Sequence, residues 1–253
     1  MKGDNKLDNL IAQWARAGAG FNTKPAEGPI DLERLLLDTA RQAPASARLL
    51  TMAATWLHKY GELIARHRLR RLIHDELEQG ARPALGLLLD TAHQGTHPLR
   101  FATIIKELPA AATPAPLFEA ERWSEALCER ARKRASDLSQ KWGVWTEPCP
   151  FKLDALRSPA WVLERNPAFR DRADFRGDLR ASILAALTFD PGSGESELAL
   201  AAASGGSRAQ LCQALDNLEL TGRVLRHRQS RRRAIDLQAE TGPTPTARFA
   251  NHG

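Results

Sequence analysis

Between Gly177 and Leu237 the chain changes its apolar period within a short distance, and that change limits what it can fold into. Leu179, Ile183, Leu184, Ala186 and Leu187 lie on one face of a helix that ends near Phe189-Asp190-Pro191-Gly192. After Gly192-Ser193-Gly194, Glu195 and Glu197 open a second short helix through Leu198, Ala199 and Leu200 to Ala203, the acids suiting the positive end of its dipole. Ser204-Gly205-Gly206 interrupts it. Ser207 is a good N-cap for a third helix from Arg208 to about Thr221, with Gly222 in the closing position. Two strand-like runs, 223–228 and 234–237, then flank a polar Gln229-Ser230-Arg231-Arg232 tip, which predicts a hairpin.

This pattern resembles the winged helix-turn-helix domains of bacterial MarR-type regulators. The resemblance rests on Ser196-Glu197-Leu198-Ala199, on Ser207-Arg208-Ala209-Gln210-Leu211, and on the run from Leu215 to Val224 that leads into the hairpin. It covers about a quarter of the chain, and the flanking dimerisation helices of those regulators have no recognisable counterpart. The resemblance implies a double-stranded DNA-binding protein, a transcriptional regulator that is not an enzyme.

At about 100° per residue, Leu211, Ala214, Leu215 and Leu218 cluster on one side of the third helix and face its core. The opposite side carries Ala209, Gln210, Gln213, Asp216 and Asn217. Gln and Asn can make bidentate contacts with adenine, and Arg208 can reach a guanine or a phosphate. The candidate DNA-binding residues are therefore Ser207, Arg208, Gln210, Gln213 and Asn217, with Arg226, Arg228, Arg231, Arg232 and Arg233 of the hairpin on phosphates or in a minor groove. Eight arginines stand against seven acids here, so the module is nearly neutral with its positive charge gathered in the hairpin. The alternative is a protein-docking subunit of a DNA-handling or phage-defence assembly, in which the third helix faces a protein.

With 253 residues and 43% hydrophobic content, the chain can bury one large or two ordinary cores. Leu and Ala supply much of that content and aromatics only 6%, which predicts a mostly helical protein. A net charge of +6 favours an anionic partner. Cys128, Cys149 and Cys212 are isolated, which suits a reducing cytoplasm and no zinc ribbon. The polar start and the lack of a long apolar run predict a cytoplasmic protein, bacterial in type, with no membrane span.

The expected fold is mostly α: an N-terminal helical bundle or short helical-repeat domain over 1–108, a connector over 109–176, the winged helix over 177–238 and a disordered tail over 239–253. In the first part, Leu35-Leu36-Leu37-Asp38-Thr39-Ala40 recurs as Leu87-Leu88-Leu89-Asp90-Thr91-Ala92, giving candidate repeats over 35–56 and 87–108. That recurrence resembles the HEAT and armadillo kind of helical repeat. The region is a candidate surface for a homodimer or a protein partner. Pro109 to Pro116 reads as a stiff linker, Glu119 to Lys141 as one basic helix, and Trp142 to Phe175 as an ordered connector rich in rings. The Arg66-His67-Arg68-Leu69-Arg70-Arg71 and Arg130 to Arg134 clusters are either solvated helix faces or extensions of a DNA surface.

An enzyme lacks its residues here: there is no GxxxxGK phosphate loop, no GxGxxG and no GxSxG elbow. His74-Asp75 lacks the usual spacing of metal ligands, and His93 and His97, four apart, are separated by a loop over Gln94-Gly95-Thr96 that breaks the helical register needed to align them, so no cofactor is expected.

Overall fold

Serine and aspartate caps divide the chain into short helices. The computed structural model describes residues 2–94, 100–229 and 232–238. Helix α1 (Lys2–Ala17) is followed by α2 (Leu32–Gln42), α3 (Ala47–Tyr60), α4 (Arg66–Glu76), α5 (Arg82–His93) and α6 (Ala102–Glu107). Asp31 caps α2 by accepting from the Arg34 N–H, and Ser46 caps α3 by accepting from Leu49. Each such cap is worth about 1 kcal/mol. The periodicity that runs past Gly61 does not make one helix. Between α3 and α4 the chain makes a single 3₁₀ turn, with Gly61 pressed beneath Arg100 and Phe101.

These helices enclose one core with Trp14 and Trp56 at its centre. Both indoles are fully buried, their rings meet edge to face, and each N–H is spent: Trp14 Nε1 on Thr39 Oγ1 at 2.9 Å, Trp56 Nε1 on the Ala17 carbonyl at 2.8 Å. The recurrent Leu35–Leu37 and Leu87–Leu89 are buried in this core, on α2 and α5, which pack together. Their following helices differ in kind, 14 residues for α3 against six for α6.

The segment expected to be a linker is packed chain. Strand β1 (Ala115–Pro116) pairs in parallel with β2 (Val144–Trp145), Ala111 donates to the Trp142 carbonyl, and Leu117 is buried in the first core. Glu119 to Lys141 is not one helix either. It divides into α7 (Glu125–Arg134) and α8 (Asp137–Lys141), because Ser124 and Ser136 turn extended and cap the helices that follow them. The Trp142 ring lies flat on Gly86 of α5, where a Cβ would sit 2.3 Å from it, and its N–H donates to Asp90 Oδ2. Lys141 reaches the same carboxylate at 2.6 Å. Helices α9 (Pro159–Arg165) and α10 (Phe169–Phe175) complete this body.

The C-terminal unit has a second core. Helix α11 (Leu179–Phe189), α12 (Glu197–Ser204), α13 (Arg208–Leu220) and the antiparallel pair β3 (Val224–Gln229) and β4 (Arg232–Leu237) bury Ile183, Leu200, Leu211, Leu215, Val224 and Ile235 together. The register runs from Val224 opposite Leu237 to Gln229 opposite Arg232. The chain as a whole is mostly helical, with two small two-stranded sheets among the described residues. No described helix is long and apolar enough to cross a membrane.

Candidate nucleic-acid interface

Helix α4 grips the C-terminal unit at three points. Arg66 donates through its N–H and its Nε to the carbonyl of Gly177, just before α11. Arg68, 0% exposed, donates Nε and Nη2 to the Asp190 carboxylate at the end of α11, at 2.9 and 3.0 Å. The His67 carbonyl abuts Gly205 in the turn between α12 and α13, and a Cβ on that glycine would come within 2.4 Å of it.

The Arg68 guanidinium also holds Asp31 at 2.7 and 2.8 Å and Glu33 at 3.0 Å, while Arg172 of α10 takes the other side of Glu33 at 2.6 Å. Arg34 adds bonds to Glu76 and Asp190. The basic run on α4 is thus divided: Arg68 is buried and cannot meet DNA, whereas Arg70 is exposed on Glu107 and Arg71 pairs with Asp75, as on a solvated helix face. A buried guanidinium loses its hydration, and only a full set of carboxylate partners makes that tolerable. Asp31 and Asp190 both end up ionised below the usual aspartate range. Burial pushes them up, and the hydrogen bonds and charge of Arg68 and Arg34 outweigh it.

Sequence periodicity carries a signal for Arg68. It stands three residues after Ala65 and four before Leu72, both buried, so it falls on the apolar stripe of its helix.

On α13, Leu211, Ala214, Leu215 and Leu218 are the buried side. The expected DNA-contacting residues divide by what they touch. Ser207 and Gln210 form a capping box, with the Gln210 carbonyl accepting from the Ser207 N–H and hydroxyl. Asn217 does not face outward freely: its Oδ1 accepts from Arg180 Nη1 at 2.9 Å, and Arg180 is anchored on Asp178. Arg208 and Gln213 are exposed. Arg208 makes no ion pair among the described residues.

Arg226 of the hairpin reaches back to α13, donating Nη2 to Asp216 at 2.8 Å and pairing with Glu219. Asp216 and Glu219, whose charges would repel a polyanion, thus share one guanidinium within the unit. Glu219 is held below the usual carboxyl range, first by the Arg226 hydrogen bond. Arg223 turns away, to Asp171 and Asp174, and His227 faces Asp236 at 3.6 Å. Asp178, Asp190, Asp216 and Glu219 each face a guanidinium. The side chains of Arg228, Arg232 and Arg233, and the whole of Arg231, lie outside the described residues, as do 239–253.

The Arg130 to Arg134 cluster is an exposed face of α7, with Lys133 on Glu129 and Arg134 on Glu147. Among the described residues, no group of three His, Cys, Asp or Glu side chains is placed to hold a metal ion. Comparison with protein families, with curated proteins and with solved structures returns no match.

Proposed function

We propose that residues 177–238 are a winged helix-turn-helix that binds duplex DNA, held rigidly on the helical body by α4. One observation carries this reading. Helix α13 presents Arg208 and Gln213 with no partner among the described residues, while the acids of its outer side are engaged by Arg226. A helix in that state can enter a major groove without carrying bare carboxylates toward the phosphates. Arg208 is suited to a guanine edge or a phosphate and Gln213 to an adenine edge, while the arginines of the 228–233 tip suit the flanking backbone. Ser207 and Gln210 then serve mainly to fix the start of the helix. The action is non-covalent, and transcriptional regulation is its proposed use, by analogy with this layout.

A second reading, docking onto a protein of a larger assembly, draws on Leu198 of α12 and Leu220 at the end of α13, exposed by 74% and 86%. Fluorescence anisotropy of duplex DNA across a salt series separates the two. On the DNA reading, affinity falls steeply with salt, and Arg208→Ala and the triple change of Arg231, Arg232 and Arg233 to Ala each weaken it. Each lost phosphate contact lowers the log–log slope by about 0.9. Absence of binding at low salt would sink the DNA reading and leave the leucine surface to be tested with protein partners.

A further inference from the structure

A row of cations without carboxylates follows one face of α3 and continues onto α9. Arg48 and Lys59 stand eleven residues apart in α3, about 16 Å along its axis, with Thr55 on the same face between them. The Thr55 hydroxyl accepts from the Lys152 N–H, which brings Lys152 into the row. Tyr60, at the end of α3, donates its hydroxyl to the Arg157 carbonyl, and the Arg157 N–H donates to the Gly18 carbonyl. Ser158 then caps α9, where the Trp161 ring lies 5.6 Å from the Arg157 guanidinium and 5.8 Å from that of Arg165. All five cations are exposed, and none makes an ion pair among the described residues.

Elsewhere in the body Arg34, Arg41, Arg68, Arg70, Arg100 and Arg172 each meet a carboxylate. In the row the nearest acids in sequence, Asp154 and Glu164, are exposed and hold none of the five, which leaves five positive charges against two. Four of the five are seated on rings. Arg48 lies 5.4 Å from the Phe21 ring and bonds the Gly20 carbonyl, Lys59 lies 5.3 Å from Tyr60, and Arg157 and Arg165 share Trp161. A cation seated on a ring keeps its charge and its outward N–H groups while losing freedom, so less ordering remains when an anion arrives. With cations over the rings, the row suits phosphates better than stacked bases. Its length of about 16 Å corresponds to about five phosphates of one duplex strand, at 3.4 Å of axis for each.

We propose that this row is a second, sequence-independent contact for duplex DNA, in which the five cations meet the phosphates of one strand. The choice of partner rests on the DNA reading of residues 177–238, although no atom of that unit takes part.

Anisotropy of short labelled duplexes of random sequence, titrated with the full chain across a salt series, tests it. Arg48→Ala, Arg157→Ala and Arg165→Ala combined should weaken binding about tenfold at moderate salt, equally for every sequence, and lower the log–log slope by up to about 2.7, or about 0.9 for each phosphate contact. Lys59→Ala with Lys152→Ala leaves Trp161 and its arginines in place and should lower the slope by up to about 1.8, so the outcome does not hang on the folding of one variant. Losses from the arginine variant and from Arg208→Ala should add, because the two surfaces share no residue. Variants that keep the parent's affinity and slope overturn the proposal, as does a parent that binds no duplex at low salt. Sedimentation with phosphatidylserine vesicles that the arginine variant abolishes, while its duplex binding stays intact, also overturns it and assigns the row to a lipid surface. A weakened arginine variant beside an unchanged Arg208→Ala upholds the row and sinks the reading of α13, whereas the reverse sinks the row alone.

Discussion

Arg68 on α4 and Asp190 at the end of α11 share two hydrogen bonds, 2.9 and 3.0 Å long, across 122 positions of sequence. Because Arg68 also binds Asp31 and Glu33, one side chain joins the start of α2 to the end of α11. The C-terminal unit is thereby fixed to the body through charge as well as through Phe175 and Ala65 in its core.

Removing that guanidinium strands three carboxylates. Arg68→Met keeps much of the volume but leaves Asp31, Glu33 and Asp190 with fewer partners, a loss of about 3–5 kcal/mol for a buried pair broken on one side. Urea unfolding should show a midpoint shift of that order. A change below 1 kcal/mol, on the scale of exposed ion pairs, would show that Arg34 and Arg172 alone hold the acids.

The same groups set an acid limit. Asp31 and Asp190 have folded pKa values depressed below their unfolded ones, so between the two values the unfolded chain binds more protons. Their contribution is complete above the usual aspartate range and is lost as pH falls through the depressed values. Asp190→Asn should lower stability at neutral pH and flatten its decline in acid, as read from urea midpoints at successive pH values. Parallel acid limbs for the two proteins would remove Asp190 from this account.

Gly205 and Gly222 separate backbone strain from contact with the body. Both have positive φ, +77° and +67°, so alanine at either is strained by about 1–2 kcal/mol. A Cβ on Gly222 meets nothing closer than 3.6 Å, whereas on Gly205 it strikes the His67 carbonyl. Gly205→Ala should therefore cost clearly more than Gly222→Ala in thermal unfolding. Equal losses would mean that α4 can yield to the turn.

Local features were readable in the sequence and distant pairings were not. The capping of α13 by Ser207 and the burial of Leu211, Ala214, Leu215 and Leu218 follow from residue type and helical spacing. The hairpin follows from two short runs around a polar tip. The pairing of Asn217 with Arg180, 37 residues away, depends on how α11 crosses α13, and no periodicity encodes that. The Pro/Ala segment before β1 misleads for a similar reason. Its composition suits a free spacer, and only the Trp142 ring, seated on a glycine of α5, brings β2 to where β1 can pair with it. Glu119 to Lys141 reads as one helix because helix-forming residues surround Ser124 and Ser136, whose capping breaks it in two.

The pairing of Arg226 with Asp216 and Glu219 gives the DNA reading its sharpest consequence. If α13 enters a groove, those acids lie beside the phosphates, and Arg226 is engaged in masking them. Asp216→Asn with Glu219→Gln removes two negative charges and frees Arg226 for a phosphate. Duplex affinity at moderate salt should rise, and the slope of log affinity against log salt should steepen by up to about 0.9, one further phosphate contact. The unfolding midpoint should hardly move, because ion pairs this exposed contribute little. Anisotropy titrations of the double variant beside Arg208→Ala decide the matter. A tighter double variant and a weaker Arg208→Ala place both ends of α13 against the duplex, whereas a double variant that binds no better than the parent means that α13 does not face the phosphates.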